Sequence, residues 1–213
     1  MKTFGSALAT LSQVRRAYLA LNLAYYGLVA ASMAYGAFDR SLQQLLLDTV
    51  QEAFQAGPLS SVLDAYSGGR VVVAVALTFT VNLFLGSLAS ITLPSLIIPF
   101  SGLLVGALRA ILWGLIFSPT SVPTGSASIA AGLLVSLLLL LEGQGYVLAM
   151  LSAYAQGKAF LSPKRVGAAG HARGYWMGVK QALRIYLLVA LALIVAAIYE
   201  VSIAVWILPR LAE

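Results

Sequence analysis

Uninterrupted apolar runs about as long as a bilayer is thick dominate this chain. A hydrocarbon core of ~30 Å needs about 20 apolar residues in a helix. Runs of that order recur at Ala17–Ala37, Val71–Thr92, Leu96–Phe117, Ser128–Ser152 and Leu183–Trp206. Only 9% of the 213 residues are charged and 61% are apolar. That leaves too little polar surface to cover a water-soluble particle. The expected fold is all-α: one integral membrane domain over residues 1–213, a bundle of five transmembrane helices with two short amphipathic helices outside it. The first run is read as a retained anchor, since a signal peptide's apolar core is shorter.

Positive charge orients the spans, because cytoplasmic loops retain Lys and Arg. Lys2, Arg15 and Arg16 precede the first span, and Lys158, Lys164, Arg165, Arg173, Lys180 and Arg184 gather in or beside a basic loop at 157–182. Five spans place both groups on one side. The expectation is a multi-pass protein of the cell membrane with its N-terminus cytoplasmic and its C-terminal tail outside. The net charge of +6 then reflects topology rather than nucleic-acid binding, and no nucleic-acid partner is expected.

The outer connection, Phe38 to Arg70, carries Asp39, Asp48, Glu52 and Asp64. Ser41-Leu-Gln-Gln44 has a capping-box pattern, and Leu42, Leu45, Leu46, Val50, Ala53 and Phe54 share a helical face before Gly57-Pro58. Leu59, Val62, Leu63 and Tyr66 repeat the spacing. The amphipathic segment at 41–66 serves either as a packed connector or as a partner-docking surface. Pro94 is expected to break the backbone between spans two and three, the Ser118–Ala127 segment to form an uncharged turn, and Gly167–Gly174 to act as a cytoplasmic hinge.

Between helices in lipid, small residues that let backbones approach mark the interfaces. Gly102, Gly106, Ala110 and Gly114 recur every four residues along the third span. Gly145, Ala149, Ala153 and Gly157 do so in the fourth, and Ala192, Ala196 and Ala204 flank Glu200 in the fifth. The third-span groove serves packing within the bundle or homo-oligomer formation.

A few polar residues stand where hydrocarbon should be: Asn82, Arg109, Glu142, Gln144 and Glu200. A mid-span charge costs about 2.5–3.5 kcal/mol on insertion scales, so these groups are expected to converge away from lipid. Height along the spans pairs Arg109 with Glu200, with Glu142 within reach of the same long side chain. The Glu-Gly-Gln-Gly stretch is expected to bend the fourth span.

Phe79-Thr-Val-Asn-Leu-Phe-Leu-Gly86, Leu103-Leu-Val-Gly-Ala-Leu108, Leu141-Glu-Gly-Gln-Gly-Tyr-Val-Leu-Ala149 and Ala196-Ala-Ile-Tyr-Glu-Val-Ser-Ile-Ala204 together resemble the stage II sporulation protein M family of small integral membrane proteins. The likeness covers spans two to five. It implies a non-enzymatic membrane component that works with protein partners.

Catalysis lacks its usual parts. His171 is the sole His, Cys is absent, and no Asp falls in a span. No catalytic, cofactor-binding or metal site is expected, and no enzyme. Two functional classes remain: a scaffold or complex subunit held together by the polar cluster, or a small transporter or channel in which Asn82, Arg109, Glu142, Gln144 and Glu200 line an ion, proton or solute path.

Overall fold

A backbone immersed in hydrocarbon must satisfy its own hydrogen bonds, and helices do so locally. The computed structural model describes residues 2–55, 59–118 and 126–212, and these are helical with short connections and no strand among them. The chain begins with α1 (Lys2–Gln13) and α2 (Arg15–Phe38), separated by a non-helical Val14. Helices α3 (Arg40–Gln55) and α4 (Ser60–Ser67) follow. α5 (Val71–Thr80) runs through a π-helical stretch, Val81–Thr92, into α6 (Leu93–Ile97). After α7 (Ser101–Ile116) come the long α8 (Ser126–Leu161), a 3-10 turn at Pro163–Val166, and α9 (His171–Ser202). A short π segment, Ile203–Ile207, joins α9 to α10 (Leu208–Ala212).

Four continuous helical runs are long and apolar enough to cross a membrane: Arg15–Phe38, Val71–Ile97, Ala130–Leu161 and His171–Arg210. The shorter α7 is also apolar. The N-terminal α1 is absent from the sequence reading, where its residues only lead into the first span.

Several boundaries differ from expectation. Pro94 does not break the helix: the run from Val71 continues through it to Ile97, with the proline directly after the π-helical stretch. The reversal lies further on, at extended Ile98 (φ −114°) and left-handed Phe100 (φ 70°). Phe100 is the one non-glycine with positive φ among the described residues. Its ring is seated against α8: a Cβ on Gly157 would come within 2.9 Å of it, and the Tyr154 ring lies 6.0 Å away.

The basic loop is mostly helix too. α8 extends to Leu161 and α9 starts at His171, so the chain turns within Ser162–Gly170, with left-handed Gly167 (φ 69°) carrying the turn. The proposed hinge is half absorbed into α9, whose first residue His171 holds the Phe160 carbonyl through Nδ1 at 2.7 Å. α8 is also unbroken through Glu142–Gly145. Most of the uncharged turn, residues 119–125, lies outside the described residues, as does Gly57-Pro58.

Small residues set the packing. α8 and α9 lie back to back, with Gly145 against Leu193, Gly174 against the Ala159 carbonyl, and Gly178 against Gln156. The groove on α7 is filled by the chain itself. Gly102 meets Ile91 and Ser95, Gly106 meets Met150, Gly114 meets Val29 and Ser32, and Ala110 is fully buried. It therefore packs the bundle and offers no open seat to a second copy.

The segment at 41–66 carries α3 and α4, with a different cap and a different buried face from those the spacing suggested. Asp39, not Ser41, receives the Leu42 N–H at 3.1 Å, and the Ser41 hydroxyl donates to the same carboxylate at 2.7 Å. The Ser41 bond first, and then the Leu42 bond, hold the Asp39 carboxyl below its usual range. On α3 Gln43 is buried and its amide donates to the Ile116 carbonyl (3.2 Å) and the Ser118 carbonyl (3.4 Å), closing the end of α7. Turning Gln43 inward rotates Leu45 and Ala53 out to the surface, off the face the spacing assigned them; the Phe54 side chain lies outside the described residues.

The bundle is polarised end to end. Arg15 and Arg16 share a crevice with Lys158, so the two basic parts of the sequence meet at one end. α3, capping α7, sits at the other. α7 itself runs from beside Gly157 to Gln43, covering that distance in its 16 residues, about 24 Å of helix.

Candidate functional site

The intramembrane polar residues are organised around α8. Tyr146, one turn after Glu142, donates its hydroxyl to the Glu142 carboxylate at 2.5 Å, and the same oxygen stands 3.3 Å from Asn82 Oδ1 in the π stretch. A hydroxyl has one proton, so the shorter contact takes it. Arg109 of α7 comes over the face of Tyr146, its guanidinium carbon 4.3 Å from the ring centroid. A desolvated cation on an aromatic face is worth about 2 kcal/mol. Gly86 makes room for this: a Cβ there would lie 3.1 Å from both Arg109 Nη1 and the Tyr146 hydroxyl. Tyr25 of α2, only 2% exposed, packs against α8 beside Gly143.

Asn82, Arg109 and Glu142 thus converge, with Tyr146 as the residue that joins them. The pairing differs from the one that height along the spans favours. Arg109 does not grip Glu200, and among the described residues no Lys or Arg nitrogen lies within 4.0 Å of a carboxylate oxygen. Height fixes depth but not direction around the bundle. Arg109 acts on Glu142 through space, and Glu142 stands near enough to Glu200 for the two carboxyls to oppose one another. Glu200 instead faces Tyr66 of α4, whose hydroxyl lies 3.1 Å from Thr78 Oγ1. Burial, reinforced by Glu200, raises the Tyr66 hydroxyl above its ordinary range, so it stays a neutral donor.

Gln144 belongs to a separate network. Its carbonyl accepts the Tyr18 hydroxyl at 2.7 Å, and its amide donates to Asn22 Oδ1 at 2.7 Å and to the Tyr26 oxygen at 2.9 Å. Tyr26 in turn donates to the Leu140 carbonyl at 2.7 Å. The amide uses both of its N–H groups and its carbonyl, pinning α2 to α8. Sequence reasoning missed the partners, although Tyr18, Asn22 and Tyr26 recur every four residues on α2 and so announce a polar stripe.

A third layer lies nearer the basic end. The Thr92 hydroxyl meets the Tyr186 hydroxyl at 2.6 Å and the Ser152 hydroxyl at 3.3 Å. Beyond it Gln156 is fully buried, and neither of its amide atoms has a hydrogen-bond partner. A lateral crevice of 290 Å³ between α3 and α7 reaches Arg109 past Val50, Leu112 and Trp113. Around Glu142, the Tyr146 side chain brings together Asn82 of the π stretch, Arg109 of α7 and α8 itself, while Gln144 joins α2 to α8. The arrangement fixes helix rotation and depth.

No family model, curated protein or solved structure matches this chain.

Proposed function

We propose that this chain is a non-enzymatic integral membrane protein acting as a scaffold or subunit of a membrane complex. In this reading α7 is the fifth crossing, α3 and α4 lie on the outer face, and the N-terminus and the α8–α9 turn are cytoplasmic in a cell membrane. The meeting of Arg15 and Arg16 with Lys158 at one end supports that orientation.

One observation carries the functional choice. α8 is an unbroken helix through Glu142–Gly145, Gln144 spends its carbonyl and both N–H groups on α2 side chains, and Glu142 accepts the Tyr146 hydroxyl. A transport path is usually lined where the backbone opens at membrane depth. Polar groups held by side chains of neighbouring helices fix the bundle. The resemblance of spans two to five to the sporulation protein M family points to the same role, with partners engaged on the outer helices.

Reconstitution tests the choice. Proteoliposomes holding the protein are expected to show proton and ion fluxes equal to empty vesicles, with Glu142→Gln and Glu200→Gln changing nothing. Leu45→Asp, at a position 62% exposed on α3, is expected to shift the native complex to lower mass in mild detergent without unfolding the chain. A flux above background that Glu142→Gln abolishes would overturn the scaffold reading.

A further inference from the structure

The basic end of the bundle carries an open feature that the polar core does not use. The break at Val14 turns α1 away from α2 and leaves a crevice of 530 Å³ against α8, lined by Ser12, Gln13, Arg15, Arg16, Tyr154 and Lys158 among others. Three of these residues are cationic. The Lys158 ammonium is held at the mouth by the Tyr154 hydroxyl at 2.9 Å and lies 5.1 Å from that ring's centroid. Val14 supplies no side-chain cap, so the positive end of the 24-residue α2 opens here as well.

The charges are uncompensated. Of the acidic residues described, Asp39, Asp48, Glu52 and Asp64 belong to the opposite end of the bundle, while Glu142 and Glu200 lie within it. Among the described residues none of the three cations has a carboxylate within 4.0 Å. Cations gathered in a concave site need a counter-charge from outside the chain. The crevice also sits where α2 changes from Arg15-Arg16 to apolar residues, the depth at which lipid headgroups lie once the helix is in a bilayer.

We propose that this crevice binds a phosphate-bearing anion, with Arg15, Arg16 and Lys158 supplying the charge and Gln13 and Tyr154 the polar wall. Arginine forks match phosphate oxygens two at a time, and Lys158 adds a point charge from a second helix. The anion therefore ties the α1–α2 junction to α8. The inference requires the chain to lie in a bilayer but is independent of the scaffold role. Flux and complex mass are not its readouts.

Two sources can supply such a group, an anionic phospholipid headgroup or a soluble phosphate, and thermal unfolding in nanodiscs separates them. The unfolding midpoint is expected to be higher in discs containing phosphatidylglycerol than in discs of phosphatidylcholine alone. Inorganic phosphate added to phosphatidylcholine discs reproduces the gain if the site takes the soluble anion, and leaves it absent if the site takes the lipid. Arg15→Gln, Arg16→Gln and Lys158→Gln are each expected to weaken the apparent affinity about fivefold. The double variant Lys164→Gln/Arg165→Gln, at exposed positions on the 3-10 turn outside the crevice, is expected to keep it. No gain from either anion, or an equal loss in the Lys164/Arg165 control, overturns the site.

Discussion

The two halves of α8 are the same helix with opposite surroundings. From Gly132 to Leu140 it is mostly Leu, and Leu133, Leu137 and Leu140 are 68%, 44% and 51% exposed. From Glu142 to Ala159 it is mostly Gly, Ala, Ser, Gln and Tyr, and nearly every side chain is buried, Val147, Leu148, Met150 and Leu151 among them. In water the Leu run would be the core. In hydrocarbon, leucine gains nothing by leaving the solvent, so the interior goes to residues small enough to admit a neighbouring backbone or polar enough to need a partner. Smallness and polarity, more than hydropathy, separate the buried half of α8 from the exposed one.

The largest test sets one glycine from each half against the other. A Cβ on Gly145 runs into Leu193, which is itself fully buried and has nowhere to move, whereas a Cβ on Gly132 meets nothing within 4 Å. Gly145→Val is expected to destabilise the fold by about 3 kcal/mol, and Gly132→Val by less than about 0.5 kcal/mol. Unfolding in mixed detergent micelles reads both. Equal costs would mean that the Leu half is packed as well, and would erase the distinction.

A smaller effect is expected where the buried half is polar. Gln144→Leu leaves the Tyr18 hydroxyl, Asn22 and Tyr26 without their shared partner, and α2 loses its polar hold on α8. The cost is expected near 1–2 kcal/mol, within the range for hydrogen bonds between helices in membranes. Hydrogen exchange at α2 should rise more than exchange at α9, since α9 packs on α8 through Gly145 and Gly178 rather than through this amide.

The sequence announced much of this and concealed a definable part. The apolar runs gave the helices, the spacing of Gly102, Gly106, Ala110 and Gly114 gave a packing face, and the isolated polar residues gave the interior. Helix ends were harder. Pro94 looks like a break, yet the helical run carries on through it to Ile97, while the true reversal uses Phe100, a residue with no turn signature. Partners were harder still. Arg109 and Glu200 share a depth, but pairing depends on the angle around the bundle, which is set by Gly86 leaving space and Tyr146 filling it. Tyrosine hides in such readings because it counts as apolar until its hydroxyl is given an address.

The second glutamine of α8 offers the finest discrimination. Gln156 is as buried as any residue in the chain, like Gln144 it sits on the packed half, and yet neither of its amide atoms is hydrogen-bonded. A buried polar group without a partner forfeits its solvation and gains nothing in return, so replacing it by an apolar side chain of similar size removes a liability rather than a bond. Gln156→Leu is therefore expected to leave stability within about 0.5 kcal/mol of wild type or to raise it, in contrast to Gln144→Leu. The Gln156 side chain is fully buried, so the smaller Gln156→Ala serves as a control for packing alone. If Gln156→Leu costs as much as Gln144→Leu while Gln156→Ala costs less, leucine's shape is at fault. If both cost about 2 kcal/mol, the amide holds a polar partner in the membrane, and the buried half of α8 is hydrogen-bonded to its end.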